Sequence, residues 1–306
     1  MKRLVIALAA TALAITVTMA QNVGVSMAYF DDLFLTNLRE AMSKQAKETG
    51  VKLQFEDAQG DIGKQLSQIQ NFIAQKVDVI VVNPVDSSAT AQMTKLIKDA
   101  KIPAVYVNRQ PLEPLDPNDP IVYVGSDENV SGKLEGEAIA KLLKGKGNVV
   151  IMMGELATQA AALRTQGVEK VVAANPDMKI VQKQTANWRR NEAIDLMNNW
   201  LVAGTKIDAV AANNDEMAIG AIIALQQAGK DPKSIVIGGV DATADALKEM
   251  EKGNLAVTVF QDAKGQGKAV VDSAIKLKKG EKFESPYVFI PFQLVTQENS
   301  KEFMNK

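Results

Sequence analysis

The chain has 306 residues, Lys+Arg 35 against Asp+Glu 36, no histidine and no cysteine. Without cysteine there is no disulfide frame, no thiolate nucleophile and no Cys-held zinc or iron–sulfur centre; without histidine there is no Ser-His-Asp triad, no HExxH metal site and no imidazole base. The nearly balanced charge argues against a protein that coats nucleic acid, and the length suits about two domains of ordinary size.

The first segment has the features of a leader. Lys2 and Arg3 precede an apolar run over 4–17, which ends at Thr18, Met19 and Ala20, a small-x-small cleavage pattern. This is the order of regions in a secretory signal peptide, predicted over 1–20, and the run is short for a membrane span of about 20 residues. The mature chain then begins at Gln21, and no cysteine follows to carry a lipid anchor. A freely diffusing exported protein of this kind is expected in the periplasm.

From there strands and helices alternate. Strand-length apolar runs at 23–28, 51–55, 77–82, 103–107 and 121–124 are interleaved with helix-period segments at 35–49, 62–75 and 89–100. In the first of these helices Leu35, Leu38, Met42 and Ala46 fall on one face, and Gly50 stops it. The second half repeats the scheme, with strands at 148–153, 180–184, 207–212, 235–240 and 257–260. Its helices are predicted at 131–143, 160–174, 192–202, 216–228 and 265–278. Such alternation means βαβ units, an α/β fold with parallel sheets. The unbroken apolar run at 77–82 fits a strand buried on both faces. Ten strands exceed one ordinary sheet, so two lobes are predicted. An internal echo agrees. The stretch 77–86 resembles 207–215, and 102–108 resembles 235–241, both about 130 residues apart, as a duplicated α/β unit would be.

In such sheets ligands bind beyond the carboxyl ends of the strands. Those ends supply Asp32, Phe34, Asn108 and Arg109 in the first half, and Arg164, Trp188, Asn214, Asp241 and Gln261 in the second. Asp and Asn oxygens accept from hydroxyls, Arg offers a rigid fork of donors, and Phe and Trp offer flat faces to the C–H side of a sugar or cyclitol ring. Arginine is scarce, six residues in all, yet two of them fall in this set. Single acids also have a plainer reading as helix caps: Asp32 before Leu35, Asp215 before Met217, Asp241 near Thr243. No phosphate-binding GxxxxGK[ST] loop and no GxGxxG after a strand are present.

Several strings resemble one family over nearly the whole mature chain. They are Phe30-Asp31-Asp32-Leu33-Phe34, Asn83-Pro84-Val85-Asp86, Val107-Asn108-Arg109 and Val124-Gly125-Ser126-Asp127 in the first half. Ala162-Leu163-Arg164-Thr165, Asn213-Asn214-Asp215-Glu216-Met217-Ala218-Ile219-Gly220, Gly239-Val240-Asp241-Ala242 and Thr258-Val259-Phe260-Gln261 follow in the second. The chain resembles the periplasmic sugar-binding proteins of bacterial ABC importers, type I or cluster B, in the ribose–galactose–inositol branch. Gln184-Thr185-Ala186-Asn187-Trp188 is similar to the inositol- and rhizopine-type members.

The resemblance implies two Rossmann-like lobes joined by a three-strand hinge, 21–125 with 262–290 and 126–261 with 291–306. It puts the ligand contacts at the same nine positions, so strand-end rule and resemblance count as one line of support. It implies capture of a sugar or polyol without catalysis, delivery to a membrane permease and its ATPase, a monomer, and a chemoreceptor as a further partner. Galactose-type members carry His and Asp shortly before the arginine, where this chain has Thr158 and Ala160. The stretch 143–147 lacks the ligands of their calcium loop, so neither metal nor cofactor is expected. Two asparates, Asp32 and Asp241, balance Arg109 and Arg164, which favours a neutral polyol over an aminated cyclitol. The other classes weighed are a repressor-type or chemoreceptor-linked sensor and an exported carboxylate-based glycoside-acting enzyme.

Overall fold

The computed structural model describes residues 21–304, so the predicted leader over 1–20 lies outside the described residues. The chain begins with β1 (Asn22–Met27), α1 (Leu33–Thr49), β2 (Lys52–Asp57), α2 (Ile62–Gln75), β3 (Val79–Val82), α3 (Thr90–Asp99), β4 (Ala104–Val107) and β5 (Ile121–Gly125). It continues through α4 (Glu128–Leu142), β6 (Lys146–Met153), α5 (Gln159–Ala173), β7 (Asp177–Thr185), α6 (Arg190–Val202), β8 (Ala209–Ala212) and α7 (Asp215–Gln227). Then come β9 (Val236–Gly238), α8 (Ala244–Glu251), β10 (Val257–Phe260), α9 (Ala263–Lys278), β11 (Tyr287–Phe289) and β12 (Gln293–Thr296).

Two six-stranded sheets form, ordered β11-β5-β4-β3-β1-β2 and β12-β10-β9-β8-β6-β7. Each is the core of one lobe. Side chains alternate along the central strands, as the period of two requires. Val79 and Val81 pack on one face of the first sheet, and Ile80 and Val82 on the other. Burying each such side chain contributes about 1.5–3 kcal/mol, and helices cover both faces. The chain passes between sheets three times: after β5, after β10, and between β11 and β12. The expected two-lobed α/β fold is present. One pairing departs from the parallel expectation, because the third passage returns the chain along β10 as an antiparallel neighbour.

The sequence echo has a structural cause. β3 and β8 take the same place in their sheets, as do β4 and β9. Asp78 and Asp208 each accept from a backbone N–H near the start of the neighbouring strand, Asn22 and Asn148, at 2.8 and 2.7 Å. Asn83 and Asn213 each accept from the N–H just past that strand's end, Ala28 and Gly154, at 3.2 and 3.1 Å. Three elements escaped the sequence reading. β11 and β12 are only 3 and 4 residues long and partly exposed, too short to show a period. α8 spans 8 residues with only Ala246, Leu247 and Met250 buried.

Candidate ligand-binding cleft

The segments that follow most of the strands place polar or aromatic side chains between the sheets. After β1, Asp32 caps α1, its Oδ1 accepting from Leu35 N–H at 2.8 Å, and Phe34 stands in the first helical turn. After β4 come Asn108 and Arg109. After β6, Arg164 projects from α5, and after β7 comes Trp188. After β8, Asn214 caps α7, accepting from Met217 N–H at 3.0 Å. Asp241 follows β9 and Gln261 follows β10. All nine line a single cavity with about 410 Å³ of empty space including its mouth, together with Leu35, Glu128, Thr158 and Ala160.

The backbone is strained where it turns into this cavity. Asn108, Trp188 and Asp241 have φ of 62°, 66° and 123°, values that L side chains rarely adopt. Such conformations persist only where surrounding contacts enforce them, and they cluster at functional sites. Tyr123 Oη donates to the carbonyl of Asn108 at 2.8 Å, and Asn214 Nδ2 donates to the carbonyl of Trp188 at 3.1 Å. The plainer reading of the acids as caps holds for Asp32 only. Asp241 caps nothing, since Thr243 caps α8. Asp215 is not the cap of α7 either. It is fully buried and accepts from Thr243 N–H and Thr258 Oγ1, each at 2.7 Å, which fixes the turn that carries Asp241. Burial pushes the Asp215 carboxyl up to about 7, against the lowering effect of those donors.

Two glutamates alter the electrostatics. Arg164 donates through Nε and Nη2 to both oxygens of Glu128, at 2.7 and 2.8 Å, and through Nη1 to the carbonyl of Asn213 at 2.7 Å. Arg109 donates through Nη1 to the carbonyls of Pro84 and Val85, both at 3.2 Å, while its Nη2 lies 3.2 Å from Glu155 Oε2. Each cavity arginine therefore has its own carboxylate partner. Asp32 and Asp241 are left in excess, which corrects the balanced charge expected from sequence. Arg164 Nη1 comes only to 4.0 Å from Asp241 Oδ1. Burial pushes the Asp241 carboxyl well above the usual range, with Arg164 opposing.

Polar capacity is left over. The side-chain nitrogens of Gln261 and Trp188 are buried with no partner among the described residues. Gln261 is oriented by its Oε1, which accepts from Arg164 Nη2 at 3.2 Å. Trp188 lies half-buried against the core of the second lobe, its indole so close over Gly154 that a Cβ there would stand 2.1 Å from the ring. Arg164 sits 5.5 Å from the indole centre. The cavity lining thus brings together the carboxyl groups of Asp32 and Asp241, the unpartnered amide of Gln261 and the aromatic ring of Trp188.

Sequence reasoning missed Glu128 and Glu155. Glu128 stands at the end of β5 and opens α4, a strand-end position like the others. Asp127 beside it caps α4, which turns the Glu128 side chain towards Arg164 only once the helix has formed. Glu155 had no signal, because its partners Arg109 and Tyr29 are distant in sequence and meet it only in the fold.

The sequence model described as a periplasmic binding protein domain matches residues 23–282. A Rhizobium meliloti protein named "Putative rhizopine-binding protein" is 53% identical, covering 100% of both chains. The ribose import binding protein of Salmonella typhimurium is 32% identical over 94% of this chain and 96% of its own. Among solved structures, a Bacillus halodurans ABC transporter solute-binding protein with bound myo-inositol superposes with a TM-score of 0.87. It is 42% identical and the match covers 93% of this chain and 97% of that one.

Proposed function

Because the chain belongs to the periplasmic binding protein family, we propose that it captures a sugar or cyclitol, inositol-like or ribose-like, in the cleft between its lobes and hands it to an ABC import permease. One observation carries this reading: nine polar and aromatic strand-end residues from both lobes line one cavity. Contacts from both lobes to one ligand favour a closed state over an open one, and the hinge passages allow the change. The lobes on this reading are 21–125 with 262–290 and 126–261 with 291–306. The chain works in the periplasm as a monomer, after removal of 1–20, beside a permease and its ATPase. It binds and releases its ligand unchanged.

The relative that holds myo-inositol supports the cyclitol side of this reading, as does the resemblance at 184–188. A second ligand reading draws support from the surplus of carboxylates. With Glu128 and Glu155 occupied by the arginines, Asp32 and Asp241 could take an ammonium group, and an aminated cyclitol would supply one.

Thermal-shift screening against inositols, amino-inositols, ribose, allose and galactose tests these readings, since a ligand that binds the folded state alone raises the melting temperature. The expected result is a shift with inositols and none with galactose. A larger shift with amino-inositols than with myo-inositol favours the second ligand reading. No shift with any of them, and turnover of a glycoside instead, would overturn the proposal.

A further inference from the structure

Besides the hinge, a second set of contacts joins the lobes beside the cavity. Its centre is Glu155, in the loop between β6 and α5, with a side chain 16% exposed. From the opposite lobe it receives Arg109 Nη2 at 3.2 Å and the hydroxyl of Tyr29. Beside it, Ser87 N–H donates to the carbonyl of Ala157 at 3.0 Å, and Gln159 N–H donates to Ser87 Oγ at 3.2 Å. Arg189 of the second lobe lies 6.0 Å from the Tyr29 ring. Arg109, Tyr29 and Ser87 all follow strands of the first sheet, and Glu155, Ala157 and Gln159 all follow β6 of the second.

Arg109 is the link between this contact set and the cavity. One end of its guanidinium is fixed by its own lobe, on the carbonyls of Pro84 and Val85. The other end is fixed only by Glu155, across the boundary. Separation of the lobes strips Glu155 of both side-chain partners and frees Nη2 of Arg109. The pair is largely buried, with Arg109 7% exposed, so it is less screened than a surface ion pair.

We propose that Glu155 is the positioning residue for ligand capture: it clamps Arg109 and Tyr29 across the lobe boundary, holds the guanidinium in place only when the lobes are closed, and so sets how slowly bound ligand leaves. This rests on the cleft being the ligand site. It also requires that Glu155 favour closure before any ligand arrives, because its partners are protein groups. In a population description the clamp raises the closed fraction and lowers the release rate without changing the encounter of ligand with the open form.

The chain has no cysteine, so Lys95→Cys and Lys133→Cys, at side chains 75% and 64% exposed on opposite lobes, give a clean dye pair. Single-molecule energy transfer on the full mature chain then reads the closed fraction without ligand. Glu155→Ala is expected to lower that fraction at least threefold. Stopped-flow release of myo-inositol, or of whichever polyol the screen identifies, is expected to accelerate at least threefold, while association does not slow. Tyr29→Phe moves both in the same direction by less, and guards against misfolding of the first variant. An unchanged closed fraction, or an unchanged release rate, overturns the proposal. If no polyol binds at all, the proposed function fails, while the ligand-free closed fraction still decides the part of Glu155.

Discussion

At the scale of single residues, the cleft is built from buried charge that the fold holds in place at some cost. Asp215 shows the cost most clearly. Burial raises its carboxyl from 3.8 to about 7. Between those values the folded chain keeps a proton that the unfolded chain has lost. Stability from this group is therefore greatest at the acid end and falls as pH rises through the window. Glu135, fully buried under Gly238, is pushed well up by burial and acts in the same direction. Asp215→Asn removes one titration. The melting temperature of the wild-type chain should fall relative to the variant between pH 4 and 7, as scanning calorimetry at several pH values would read; parallel curves would contradict the assignment. The nine residues could be read from sequence because each lies in the loop after a strand or in the opening turns of the helix that follows it. Their partners could not. Glu128 against Arg164 and Glu155 against Arg109 are pairings 36 and 46 positions apart, fixed by packing.

At the scale of elements, the closest packing in the second lobe serves the site directly. Gly132 on α4 meets α5 so tightly that a Cβ there would stand 1.9 Å from the backbone oxygen of Arg164, and Gly167 answers it from α5, 2.6 Å from Lys133 N. This approach brings Glu128, one turn earlier on α4, against the guanidinium of Arg164. Gly132→Ala should cost about 1–3 kcal/mol through overpacking and weaken ligand binding as α5 shifts. Chemical denaturation and calorimetry check both; wild-type values for the variant would remove the argument. Most elements were legible because their apolar positions follow one period. The exceptions, α8, β11 and β12, are short, and their place depends on the sheet edge or the lobe surface they cover.

At the scale of the whole molecule, duplication was legible in the paired strings near 77 and 207, and the matching sheet orders explain it. The last crossing came from the family resemblance alone, which parts the lobes between 290 and 291, because nothing local in 287–296 says which sheet each strand joins. Three passages between lobes and a cavity walled by both predict a hinge motion. Small-angle scattering should show a smaller radius of gyration at saturating ligand than without it, and an unchanged radius would count against closure. Ligand capture depends on the cavity being the place where a polyol binds. Isothermal titration of wild type, Asp241→Ala and Arg164→Ala with myo-inositol and an amino-inositol tests that most directly. Charged hydrogen bonds contribute about 1.5–3 kcal/mol each, so one site per chain is expected in the wild type and at least tenfold weaker binding in both variants. Wild-type affinity in both would contradict it.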